Sequence, residues 1–133
     1  MLLKHFLKYQ FPPILWLAFI YLLSSLSTLP VIKSPIGFDK LVHAFMWFVL
    51  CLLMRRSFFF QERYDTLKDH ALLLSFLVAS AYGAIDEVHQ QYVPDRTPDA
   101  YDAVADSVGA LFYVVIFRIA NRRKVAVPSS EEI

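Results

Sequence analysis

The residues best suited to chemistry in this chain are carboxylates and one histidine at helical spacing. Asp39 and His43 lie four apart and share a face if they sit on a helix. Asp99, Asp102, Asp106 and Gly109 step by three, four and three, again one face, provided the helix starts near Asp99; Pro98 suits such a start. Gly83, Glu87 and Gln90 (or Gln91) make a third stripe, with Asp86, His89 and Gln90 beside it. Arg96 is the one cation between Val88 and Tyr101, and its planar fork is expected to bridge carboxylates. A buried carboxylate beside an imidazole titrates near neutrality, which makes His43 and Glu87 a candidate acid/base pair.

Other chemistries find less support. His43, Glu87, His89, Asp102 and Asp106 are acceptable metal ligands, yet there is no HExxH and no two histidines lie four apart on one helix. No metal or cofactor is therefore expected. No serine or cysteine stands at a nucleophile motif: Ser80 and Ser107 read as helix-packing residues, and Cys51 falls mid-span, where a thiolate is disfavoured. The economical reading is a polar network that is structural or binds a ligand through Asp39, His43, Glu87, Gln90, Arg96, Asp99, Asp102 and Asp106.

The elements that must hold these residues are apolar. Of the 133 residues, 57% are hydrophobic and 19% charged, more apolar on both counts than a soluble domain. That excludes strong disorder, and a net charge of +1 argues against a nucleic-acid partner. A single cysteine excludes an intramolecular disulfide framework. Phe11 to Leu29 is an uncharged run of 19 residues, long enough to cross a ~30 Å hydrocarbon core. Leu41–Met54, Ala71–Ile85 and Ser107–Phe117 are uncharged runs of 14, 15 and 11. With their flanks they predict spans at about 11–29, 39–56, 70–88 and 102–120, one domain over 1–120, and a short polar tail over 121–133. The expected fold is all-α, an integral membrane four-helix bundle in the lipid bilayer.

Charge orients that bundle. With both termini cytoplasmic, Lys4, Lys8, Arg55, Arg56, Arg63, Lys68, Arg118, Arg122, Arg123 and Lys124 lie inside, leaving Lys33, Lys40 and Arg96 outside, as the positive-inside rule requires. A cleaved leader ending near Ser25-Leu26-Ser27 is the rival reading. The apolar run is long for one, and Pro12 and Pro13 sit awkwardly at its start. At ~1.5 Å per residue the shorter runs cannot cross the core alone, so each helix must carry ionisable groups into the membrane or thin the bilayer. Arg55, Lys68 and Arg118 can snorkel on the inner side, while the short Asp and Glu side chains collect at the outer ends, where Ser24, Ser25, Ser27 and Thr28 join them. Ala79, Ser80 and Gly83, with Ser107, Gly109 and Ala110, predict close approach of the third and fourth spans. Arg55-Arg56 followed by Phe58-Phe59-Phe60 reads as a segment at the inner membrane surface.

The ordered set Asp39-Lys40-x-x-His43, Gly83-x-x-x-Glu87-x-x-Gln90, Arg96 and Asp99-x-x-Asp102-x-x-x-Asp106-x-x-Gly109 resembles the VanZ-like family of small integral membrane proteins. The match runs from Asp39 to about Tyr113. It implies a multi-span helical protein of the cell envelope, linked in some members to resistance to glycopeptides such as teicoplanin. Apart from the resemblance, the dense polar cluster without a nucleophile or metal motif is expected to form an outward acidic pocket that binds an envelope lipid, a cell-wall precursor or another membrane protein. The alternative is a membrane enzyme acting on such a lipid or precursor through His43 and Glu87. Asp106 stands where the family pattern commonly has Asn, which implies a more acidic pocket. Tyr113 stands where a second small residue often follows Gly109, which implies looser helix packing.

Overall fold

Pro12 and Pro13 decide the first break in the chain. Neither can donate a backbone N–H, so a helix arriving from the N-terminus loses its hydrogen bonds there and a new one begins. In the computed structural model, which describes residues 2–27 and 37–125, α1 (Leu2–Tyr9) ends at Gln10 and α2 (Phe11–Ser24) follows at a bend of 44°. α1 carries Lys4 and Lys8 beside exposed Leu3, Phe6 and Leu7. The 14 residues of α2 close at Ser25, so the ordered helix is shorter than the uncharged run around it. Thr28 and Leu29 lie outside the described residues.

The remaining helices are longer than their uncharged cores because they include the flanking charges. α3 (Phe38–Phe60) starts beside Gly37, whose φ of 106° is left-handed backbone that glycine adopts without strain. A short α4 (Asp65–Asp69) leads into α5 (Ala71–Gln90), and α6 (Ala100–Val125) completes the chain. At ~1.5 Å per residue, the 23 residues of α3 reach about 34 Å, so the ionisable ends supply the length that the apolar middle lacks. Among the described residues three helices are long and apolar enough to cross a membrane: α3, α5 and Ala100–Arg122 of α6; α1 and α2 pass the same test together as one bent pair.

Helix α3 is central and packs against both α5 and α6, with α2 laid along it. The core is small: Ile20, Trp47, Leu50, Cys51, Ala79, Ala110 and Tyr113. A third or less of each spanning window is buried, and Phe45, Leu73, Leu77 and Phe112 stand exposed around the outside. Apolar surface that continuous fits a lipid environment. Side-chain donors tie the helices across their interfaces. Trp47 Nε1 donates to the Ala79 carbonyl (2.9 Å), Trp16 Nε1 to Met46 (3.0 Å), and the Tyr82 hydroxyl to Leu17 (3.0 Å).

Two small residues let helices approach, one as the pattern suggests and one against a different partner. Gly83 of α5 faces Asp106 of α6 and the Trp47 indole, whereas Gly109 of α6 packs on the backbone of Ala44 in α3 rather than on α5. The contact at Gly109 is close with Tyr113 one turn on, whose ring lies edge-on to Phe48 at 5.5 Å. At the opposite end from the carboxylates, Arg55 lies over the rings of Phe59 and Phe117, and Tyr9 stacks on Phe60 at 4.3 Å.

Candidate functional site

The carboxylates meet at one end of the helices, where α3, α5 and α6 converge. Asp99 begins α6: its Oδ1 accepts the Tyr101 N–H (2.9 Å) and its carbonyl accepts that of Asp102 (2.8 Å), a helix cap of the type aspartate favours. Its own N–H donates to Glu87 Oε2 (2.9 Å), which fixes the start of α6 against the end of α5. Asp102 and Asp106 then follow on the face turned toward α3.

The cation among them is Lys40. Its ammonium contacts Asp39 at 3.2 Å and Asp99 at 2.6 Å and also pairs with Asp102. Lys40 holds the Asp99 carboxyl below the usual carboxylate range. One turn deeper, His43 Nδ1 lies 2.9 Å from Oδ1 of Asp106, whose side chain is 0% exposed. The imidazole stacks on Trp47 at 5.7 Å, and its Nε2 lies 4.0 Å from Asp102. Gly83 makes room for this pair, since a Cβ there would stand 2.7 Å from Asp106 Oδ2.

The sequence stripes therefore converge, with different partners. Asp106, not Glu87, is hydrogen-bonded to His43. Arg96 bridges no carboxylate among the described residues. Its Nε donates to the Leu26 carbonyl (3.2 Å) and its Nη2 to that of Leu23 (3.1 Å). The last carbonyls of a helix lack full intrahelical partners, and the guanidinium takes that of Leu23 in the last turn of α2 together with that of Leu26 just past its end. Gln90 donates to Asp86 Oδ2 (3.1 Å), and both side chains are buried. His89 leaves that stripe to meet Ser25 Oγ at 3.0 Å and the ring of Tyr21. Lys40 and Trp47 were not among the expected site residues. Lys40 had a sequence signal, since it follows Asp39 directly. Trp47 lies four residues after His43 and could have been placed on the same face.

A cavity of about 130 Å³ opens between α2, α3, α5 and Arg96. Ser24, His43, Asp86, Gln90 and Arg96 supply its polar wall, and Leu23, Val42 and Met46 part of its apolar one. Four buried polar atoms among the described residues have no hydrogen-bond partner: Ser24 Oγ, Ser80 Oγ, Glu87 Oε1 and Asp106 Oδ2. Three of the four lie at this end of the molecule. Among the described residues no group of three or more His, Cys, Asp or Glu side chains is arranged to hold a metal ion.

The sequence model of one family, VanZ/LLP1, matches residues 1–121. The chain belongs to the VanZ/LLP1 family. No curated protein and no solved structure matches it. Within the family assignment, the Asp39-to-Gly109 residue set is the part of the chain that builds the polar end.

Proposed function

We propose that this VanZ/LLP1 protein resides in the plasma (inner) membrane of a bacterial envelope as a four-span bundle with both termini cytoplasmic. Its carboxylate end then faces outward and binds an envelope lipid, a wall precursor or a partner membrane protein, and so changes susceptibility to glycopeptides such as teicoplanin. The observation that carries this reading is the cavity beside His43, with Ser24 Oγ buried in its wall and without a partner. A buried hydroxyl left unpaired costs about 1–3 kcal/mol, which a bound polar group would recover. Support for the orientation comes from the cations, ten of which fall on the side away from the carboxylates if the four spans alternate.

A second reading, membrane enzyme, is favoured by the His43–Asp106 pair. An imidazole oriented by a buried carboxylate is the arrangement a general base requires. Susceptibility assays separate the two in a strain lacking the native copy, with protein level followed by immunoblot. Glu87→Gln keeps the oxygen that accepts the Asp99 N–H, and His43→Gln keeps a donor for Asp106. Under the binding reading Glu87→Gln retains much of the phenotype; under the enzymatic one each substitution abolishes it. Wild-type susceptibility with both variants would remove the site from function. An extracytoplasmically active C-terminal phosphatase fusion would overturn the topology.

A further inference from the structure

Two opposite charges line the same small cavity without pairing with each other. Arg96 is held by the Leu23 and Leu26 carbonyls through Nε and Nη2, which leaves its other N–H groups without a partner among the described residues. No carboxylate among the described residues lies within 4.0 Å of it, and the stretch 28–36 contains no Asp or Glu. Asp86 is 4% exposed, accepts one hydrogen bond from Gln90, and has no cation within ion-pair distance among the described residues. Ser24, 6% exposed, adds its unpartnered hydroxyl to the same wall.

We infer that this cavity holds a zwitterionic head group, its ammonium against Asp86 and Gln90 and its anionic group against Arg96 and Ser24. A purely anionic ligand would leave the buried Asp86 desolvated and uncompensated, which is strongly unfavourable, and a purely cationic one would leave the free N–H groups of Arg96 unused. A molecule carrying both signs satisfies each. A volume of about 130 Å³ accommodates a small head group. The apolar side of the cavity, Leu23, Val42 and Met46, gives an attached chain a way out, since Val42 is 45% exposed on the lipid-facing surface. The same chemistry is offered by a phosphoethanolamine lipid and by a free amino acid. The inference rests on the binding reading above and names the class of ligand that it takes.

Purified full-length protein in nanodiscs of equimolar phosphatidylethanolamine, phosphatidylglycerol and phosphatidylcholine tests this by native mass spectrometry of retained lipid. Phosphatidylethanolamine should be retained over phosphatidylglycerol by about tenfold or more, the size of one charge-assisted hydrogen bond. Asp86→Asn, which keeps the shape and an acceptor for Gln90, should erase that preference. Arg96→Gln should lower retention of both phospholipids; should it fail to fold, Asp86→Asn alone decides. Displacement of the lipid by glycerophosphoethanolamine or by alanine at millimolar concentration would assign the zwitterion to a soluble source and still support the class. Phosphatidylglycerol held as well as phosphatidylethanolamine would overturn the zwitterion while leaving a lipid site intact. Retention of no lipid and no binding of either soluble zwitterion would overturn both. Ethanolamine selectivity with susceptibility unchanged in every cavity variant would instead sink the envelope role and leave the ligand class standing.

Discussion

Replacing Gly109 with alanine adds one methyl group where α6 lies against the backbone of α3. That methyl would stand 2.7 Å from the Ala44 Cα and 2.6 Å from its carbonyl carbon, well inside ordinary contact. The obstructing atoms are main chain, so no rotamer change can clear them and the two helices must separate by on the order of 1 Å, which breaks close packing of the kind small residues permit. Alanine favours a helix over glycine by about 1 kcal/mol. Overpacking typically costs about 1–3 kcal/mol and more where backbones must move. His43 is next to Ala44 and Asp106 is one turn before Gly109, so separation also stretches their 2.9 Å hydrogen bond. A net destabilisation of about 2 kcal/mol follows, and with roughly 2–8 °C per kcal/mol for domains of this order, a fall of several degrees in melting temperature. Thermal unfolding of the detergent-solubilised protein, read by helical circular dichroism, measures it. Ala44→Gly in the same chain should give no rescue, because the clash is with the main chain and not with the Ala44 methyl. A Gly109→Ala protein as stable as wild type, or one rescued by Ala44→Gly, would refute the backbone contact.

Three further outcomes follow from the same site. Gly83→Ala places a methyl 2.7 Å from Asp106 Oδ2 and 3.0 Å from Trp47 Nε1, so it should displace the carboxylate and lower both melting temperature and any site-dependent phenotype; an unchanged protein would contradict the geometry. His43→Ala strands a fully buried Asp106 and should cost about 3–5 kcal/mol, while adding Asp106→Leu should recover most of it; strictly additive losses in the double variant would show that the two are uncoupled. Asp99 has its carboxyl held down by Lys40, so its contribution is complete above the ordinary aspartate value near 4 and is lost as pH falls through the lowered folded value. Melting temperature against pH should therefore drop at the acid end, and Asp99→Asn, an equally good helix cap, should flatten that limb; an unaltered acid limb would remove Lys40–Asp99 as its source.

Spacing alone brought most of the polar end within reach of the sequence. Asp39 with His43, and Asp102 with Asp106, could be placed on helix faces because a period of three to four residues is the signature of a shared face. Which face met which was hidden. The choice of Asp106 over Glu87 as the partner of His43 depends on how far α6 can approach α3, and that is set by one glycine against one backbone segment. Arg96 misled for a different reason. A guanidinium near several carboxylates suggests ion pairs, but helix-end carbonyls also need donors, and nothing in composition reveals that α2 ends within its reach. The bend before Phe11 was written in Pro12 and Pro13, yet those prolines mark the start of α2 and say nothing of whether the preceding residues are helical. Lys40 counted as a loop charge in the topology, and only the convergence of α3 with the start of α6 turns it into the clamp on Asp99 and Asp102.

The distribution of unsatisfied groups bears on whether this end is structural or serves a ligand. A network evolved for stability alone gains little from buried ions, since apolar residues of similar volume are often as stabilising. If ions are kept for rigidity, they should at least neutralise one another, as Lys40 does with Asp39, Asp99 and Asp102, and as His43 does with Asp106 when charged. The cavity side departs from that economy. Asp86 and Arg96 line one space and do not pair, and Ser24 Oγ has no partner in its wall. The ion pairs fix α3 to α6, where Asp106 Oδ2 and Glu87 Oε1 are the unpartnered atoms, while the unpaired Asp86, Arg96 and Ser24 line the cavity between α2, α3 and α5. Ordered polar groups held by a rigid frame and left open on one side are what preorganised binding requires, because the frame has already met the cost of orienting them. The ion pairs and the cavity therefore have separable roles. Substitutions at Lys40 or Asp106 should act first on stability, and those at Asp86 or Ser24 first on ligand retention; a uniform loss of stability across all four would return the whole cluster to a structural role.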